Sequence, residues 1–187
     1  MSFTLDPNTV PATGVYARIE DAGVLADAGR FEGALLLLLV AVAATARKRY
    51  PRGTLSRKRP KEKMGDREAF TLFLKDEMWR LVREHTDIVY FRGRKRPIED
   101  FLYEFLRCEL IHDAGVPTDL QPLRADDLLT LDLSDGSRMG FSKLLLARLN
   151  DVVWRARENS FAATQRDMEK LSKRTPSPSL GATTPWT

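Results

Sequence analysis

GALLLLLVAVAATARKRYP, residues 33 to 51, is the stretch whose reading decides the fold. From Gly33 to Ala46 it carries no charge, and Arg47, Lys48 and Arg49 follow directly, as they would after a membrane anchor. At 1.5 Å per residue, however, those residues reach only about 21 Å, short of a hydrocarbon core about 30 Å thick. A secretory signal is not expected either, because Asp6, Glu20, Asp21 and Asp27 precede the run and it starts late. Apolar on every side between Ala34 and Ala44, the segment reads as a buried central helix from about Arg30 to Tyr50. Such a helix needs partners on several sides.

Those partners are legible on both flanks. Residues Gly14 to Gly29 read as an amphipathic helix with Val15, Ile19, Val24 and Leu25 on its apolar side. After the loop that follows Pro51, Gly65 and Asp66 open a third helix to about His85, with Asp66 as its N-cap. Its stripe is Phe70, Leu74, Met78, Leu81 and Val82. Ile88 to Phe91 reads as a short extended link. Pro97 then starts a fourth helix, since proline is tolerated in a first turn, and Gly115 and Pro117 end it. Leu129, Leu131 and Leu133 alternate, Asp135 and Gly136 supply a turn, and Met139 and Phe141 alternate on the return, so one small hairpin is expected. Ser142 caps a last helix to about Ser160, with Leu145, Leu149, Val152 and Val153 inward. Five helices with short connections make an all-α antiparallel bundle carrying a small β-hairpin insertion.

With 187 residues, 43% hydrophobic and 30% charged, the chain has ordinary globular composition and length for one domain. That domain is expected over residues 14 to 172, after an N-terminal segment 1–13. A tail 173–187, rich in Pro, Ser and Thr, lacks an apolar face and reads as disordered. The single Cys108 excludes an internal disulfide, and one Cys with two His cannot build a tetrahedral zinc site without carboxylates. A reducing, cytoplasmic setting with no membrane association is expected. No metal or cofactor is indicated, since neither a phosphate-binding loop nor a dinucleotide fingerprint occurs.

The net charge of +4 is unevenly spread. Arg47 to Lys63 holds nine basic residues against the single acid Glu62, and Arg92, Arg94, Lys95 and Arg96 form a second cluster. Arg47, Lys48, Arg49, Arg57, Lys58, Arg59 and the second cluster are what an anionic polymer such as RNA would meet. A solvated, mobile, solubilising loop is the competing reading of the first cluster.

Within FLYEFLRCELIHDAG, residues 101 to 115, Arg107 and His112 interrupt an apolar helical pattern set by Ile98, Phe101, Leu102, Phe105 and Leu106. Arg80 and His85 share the same spacing but lie among Arg83, Glu84 and Asp87 near a polar helix end, where a His faces the C-terminal dipole. A neutral imidazole can take the proton of a ribose 2′-hydroxyl, while a permanently charged guanidinium stabilises the phosphorane as negative charge builds. No metal is required for that transesterification. On an ideal α-helix residues five apart differ by about 140° in direction, so the pair converges at an edge or across a two-fold axis. The structural alternative stays open: Arg107 pairs with Glu104 or Asp113, and His112 is a hydrogen-bonded helix-ending residue. Glu109 can orient the imidazole or face solvent. Cys108 reads as a small packing residue rather than a nucleophile, and Trp79 and Trp154 read as core.

RFEGALLLLLVAVAATARKRYP from Arg30, FLYEFLRCELIHDAGVP from Phe101 and LLLARLNDVVWRARENS from Leu144 resemble successive helices of a bacterial group in the HEPN superfamily. The likeness covers most of residues 15 to 160. It implies an α-helical, homodimeric, metal-independent endoribonuclease in which Arg107 and His112 match the catalytic Arg and His, and the helix 97–112 faces its copy. It implies a defence or toxin effector, with a cognate antitoxin or regulatory protein among its partners. Cys108 stands where active members often carry a polar Asn, Asp or His. That departure favours the alternative of a non-catalytic HEPN module binding RNA or a partner protein. Ala114 stands where one toxin group has a nucleotide-accepting Tyr, which argues against that control.

Overall fold

The computed structural model describes residues 14–81, 88–91, 94–108, 120–122, 129–132 and 138–160. The uncharged run is the centre of the molecule. Helix α2 (Phe31–Arg49) packs against α1 (Val15–Asp27), α3 (Asp66–Leu81) and α5 (Lys143–Trp154). Ala34, Leu35, Leu38, Leu39, Ala41, Val42 and Ala46 are buried on it, which is why it shows no single apolar stripe. Among the described residues no helix is long and apolar enough to cross a membrane.

The three-residue link 28–30 turns at Gly29, whose φ of 75° is a left-handed conformation that glycine adopts without strain, and folds α1 back onto α2. A Cβ at Gly33 would lie 3.0 Å from Leu25 Cδ1, so the missing side chain lets the two helices approach closely. Val15, Ile19 and Ala22 face inward at helical spacing. Val24 does not; it is 70% exposed, and Leu25 alone of that pair packs against the core.

Helix α3 places Phe70, Phe73 and Leu74 in the core. Asp66 is its first helical residue rather than a preceding cap, and Gly65 supplies the carbonyl that accepts from Ala69 N–H at 3.1 Å. The side chains of Met78 and Leu81, and Val82, lie outside the described residues. In α5 the expected inward residues Leu145, Leu149, Val152 and Val153 are all buried. Ser142 caps this helix, its Oγ accepting from Leu144 N–H at 3.1 Å. The helix stops at Trp154 rather than near Ser160. A single 3₁₀ turn, Arg157–Asn159, brings the buried Asn159 back under the end of α5. There its amide donates to Val153 O at 2.8 Å and to Thr45 Oγ1 at 2.9 Å.

The extended link is a strand. β1 (Ile88–Phe91) pairs antiparallel with β2 (Arg94–Pro97), Ile88 opposite Pro97 and Phe91 opposite Arg94. Val89 and Phe91 point inward and the Phe91 ring meets Phe101 edge-on at 5.3 Å. The basic strand β2 has no apolar alternation, so nothing in its own sequence announces a ladder partner. The expected hairpin is present as β4 (Leu129–Asp132) antiparallel to β5 (Arg138–Phe141), with Leu131 opposite Met139. It carries a third strand that was not expected, β3 (Leu120–Pro122), parallel to β5. Pro122 is tolerated because β3 is an edge strand. Leu133, Asp135, Gly136 and the segments 1–13 and 161–187 lie outside the described residues.

The fourth helix departs most from expectation. Pro97 caps a short α4 (Ile98–Phe101), and the backbone then widens into a π-helix, Leu102–Cys108. Ile98, Phe101 and Leu102 anchor it in the core.

Trp79 and Trp154, expected inside, are 69% and 57% exposed. Trp154 lies edge-on to Tyr16 at 5.2 Å. Phe70, Phe73, Phe91, Phe101 and Phe141 lie in the core instead.

Candidate functional site

The first turn of α3 contacts three of the candidate residues, Arg47, Arg57 and Lys58. Three consecutive side chains there, Asp66, Arg67 and Glu68, reach three different segments. Asp66 Oδ1 accepts from Arg47 Nε at the end of α2 at 2.6 Å. Arg67 Nη2 donates to Asp100 Oδ1 at 3.2 Å and to Glu104 Oε2 at 3.1 Å. Glu68 Oε1 accepts from the backbone N–H groups of Arg57 and Lys58 at 2.7 and 3.3 Å. The Arg47 hydrogen bond holds the Asp66 carboxyl below its usual range against partial desolvation, and the charges of Arg47 and Arg107 add to it.

Arg107 stands at the end of the π-helix over the ring of Tyr103, its Cζ 5.1 Å from the ring centroid. Arg67 reaches the same ring at 5.8 Å, and Phe70 meets it edge-on at 5.3 Å. The Nε of Arg107 is buried and has no hydrogen-bond partner among the described residues. Glu104, one of the two salt-bridge partners considered for Arg107, is taken by Arg67 and by Arg96, whose Nη1 lies 2.8 Å from it; Asp113, the other, lies outside the described residues. Among the described residues, Arg47, Arg67 and Arg96 are matched by carboxylates, and Arg107 is matched by a ring. Burial pushes the Tyr103 phenol up and the Arg107 charge pulls it down; the net is upward, so the ring stays neutral. Cys108 is a partly covered free thiol.

His112 and Glu109 lie outside the described residues, as do Arg92 and His85. The convergence of Arg107 with His112 is therefore an expectation drawn from sequence.

The basic segment 47–63 is not a loose loop. Ser56 N–H donates to Glu62 O at 2.9 Å, Met64 N–H to Thr54 O at 2.7 Å, and Leu55 pairs with Lys63 across a short bridge. Buried Ser56 accepts from the Lys58 and Arg59 N–H groups at 3.2 and 2.9 Å. With its backbone tied inward, Arg57, Lys58 and Arg59 present exposed side chains, as do Lys48, Arg94 and Lys95. Arg49 differs. Its side chain is 9% exposed, lies 2.6 Å from Glu77 and 2.7 Å from Glu158, and stacks on Phe73 at 4.6 Å. It ties α2 to α3 and to the 3₁₀ turn.

Tyr103 and Arg67 were missed in the sequence. For Tyr103 a usable signal existed, since it precedes Arg107 by four residues, a spacing at which helical side chains meet. Arg67 carried no such signal, because its contacts cross from α3 to a segment more than 30 residues away.

Among the described residues no group of three or more His, Cys, Asp and Glu side chains is placed to hold a metal ion. Neither the curated proteins nor the solved structures include a match to this chain. A family model described as Rv1289 matches residues 14–173, well over half of the chain, and the protein belongs to the Rv1289 family.

Proposed function

We propose that this protein is a metal-independent endoribonuclease of HEPN type, built as an antiparallel helical bundle and working as a cytoplasmic homodimer through the helix 97–112. Its role is that of a defence or toxin effector, held in check by an antitoxin or regulatory protein. The observation that carries the reading is Arg107: a guanidinium stacked on a neutral ring, with its neighbour Glu104 already paired to Arg67 and Arg96. Such a charge attracts a phosphate without having to be drawn away from Glu104. A phosphorane gains more from it than a ground-state diester does, because negative charge builds in the transition state.

His112 is the proposed general base for the 2′-hydroxyl, and Glu109 its orienting partner. The exposed residues Lys48, Arg57, Lys58, Arg59, Arg94 and Lys95 are the proposed RNA track, with Arg47 and Arg96 beside it; Arg92, outside the described residues, joins it by sequence alone. Cys108, in place of a polar residue, supports a second reading in which the same surface binds RNA or a partner protein without cleaving.

Incubation with single-stranded and structured RNA in chelator separates the two readings. Cleavage leaving 2′,3′-cyclic phosphate ends, abolished by Arg107→Ala and by His112→Ala with folding intact, is expected. Activity that appears only with added divalent metal would sink the mechanism. RNA binding without cleavage would favour the second reading.

A further inference from the structure

We infer that Tyr103 is the positioning residue of Arg107: its ring holds the guanidinium in place without neutralising it. The inference rests on the proposed role of Arg107 in phosphate chemistry. Four observations lead to it. Tyr103 precedes Arg107 by four residues on the π-helix, and the guanidinium carbon lies 5.1 Å from its ring centroid. The ring is itself immobilised, by Phe70 edge-on at 5.3 Å and by Arg67 at 5.8 Å. Arg67 is in turn pinned by Asp100 and Glu104. Finally, the buried Nε of Arg107 has no acceptor among the described residues, so no hydrogen bond from that atom to them fixes the group.

The physical distinction is between two ways of holding a cation. A carboxylate fixes a guanidinium by hydrogen bonds but cancels its charge, and a phosphate must then compete with it. An aromatic face attracts the cation through its quadrupole, fixes its plane and leaves the net charge intact. Arg47, Arg67 and Arg96 are held in the first way, Arg107 in the second. Arg67 combines both, since it pairs with carboxylates and approaches the same ring.

The test uses the full-length protein with Tyr103→Phe and Tyr103→Leu. Phenylalanine keeps the quadrupole and loses the hydroxyl; leucine keeps apolar bulk and loses the quadrupole. On RNA, Tyr103→Phe is expected to keep kcat within about twofold, while Tyr103→Leu lowers it roughly tenfold or more with KM nearly unchanged, as misplacement of a transition-state group does. Equal losses in both variants, or none in either, would overturn the assignment.

A second readout does not need catalysis. The Arg107 Nε–H resonance, assigned through Arg107→Lys, is shifted by the ring current of Tyr103. It should move in Tyr103→Leu and stay in Tyr103→Phe. An unmoved resonance in the leucine variant refutes the positioning role whether or not the protein cleaves RNA. A moved resonance in a protein without ribonuclease activity keeps the positioning role and rejects the enzymatic reading instead.

Discussion

Arg49 and Arg107 both lie near the ends of helices, both stack on an aromatic ring, and the two are built for opposite ends. Arg49 is covered, flanked by Glu77 and Glu158, and bridges segments more than 100 residues apart. Arg107 is half-buried, stacks on its own helical neighbour Tyr103, and acts on the carboxylate of Asp66 through its charge. Burial with carboxylates turns an arginine into a strut. Placement on a ring beside solvent leaves it available to an anion.

The sharpest way to break the comparison is to truncate each. Arg49→Ala leaves Glu77 and Glu158 buried without their cation, and breaking a buried pair costs about 3–5 kcal/mol. We expect a fall of that size in denaturant unfolding. Arg107→Ala removes only a partly exposed cation–π contact, about 1 kcal/mol. It should nevertheless lower RNA cleavage by roughly a hundredfold or more, the usual cost of losing a transition-state charge partner. If Arg107→Ala destabilised as much as Arg49→Ala, Arg107 would be a strut too.

A smaller effect is expected at Asn159, which ties the end of α5 to α2. Asn159→Ala strips partners from Thr45 Oγ1 and Val153 O in the core, and groups left without partners there cost about 1–3 kcal/mol. A melting temperature unchanged from the wild type would show that Arg49 alone holds this junction.

Acid pH sharpens the same contrast. Burial alone would push the Glu158 carboxyl up, but hydrogen bonds and charge from Arg49 outweigh it and hold the carboxyl below its usual range. A depressed folded-state pKa gives stability that is fully present above the unfolded value near about 4.3. It is lost as pH falls through the folded value. Stability should therefore drop on acidification below about pH 4, and Glu158→Gln should flatten that limb. An acid limb unchanged in Glu158→Gln would place the titrating group elsewhere.

What could be read from the sequence follows the same division. Local apolar period gave α1, α2, the start of α3, and α5, together with the inward residues Val15, Ile19, Phe70, Leu74, Leu145 and Leu149, because burial imposes a repeat on consecutive residues. The β4–β5 pairing was legible from alternation. The β1–β2 pairing was not, because Arg94, Lys95 and Arg96 pair through backbone and carry no apolar signal. The exposure of Trp79 and Trp154 was hidden by their chemistry, since large apolar rings are ordinarily interior. In the candidate site, Arg107 stood out by its apolar frame. The role of Arg49 did not: it read as one of the basic cluster until Glu77 and Glu158, distant in sequence, set it apart. The π-turn had no sequence signature at all.

The last and smallest effect concerns the exposed cations that Arg49 was grouped with. Arg57, Lys58 and Arg59 project from a segment whose backbone is anchored to Ser56 and Glu68, so replacing the three side chains by alanine leaves those tethers in place. Folding stability should change by no more than about 0.5 kcal/mol, as is usual for surface substitutions. RNA affinity should fall, and its dependence on salt should become shallower by about 0.7 in log–log slope for each single-strand phosphate that is no longer neutralised, because fewer counterions are released. The slope is more informative than the affinity: a general fall in positive potential weakens binding everywhere, whereas freeing one phosphate from its cation returns a defined number of ions to it. A triple variant that binds more weakly with an unchanged slope would mean that the segment acts at a distance on net charge. An unchanged affinity and slope would leave Arg57, Lys58 and Arg59 as solubilising residues and shift the RNA track to Arg94 and Lys95 on β2.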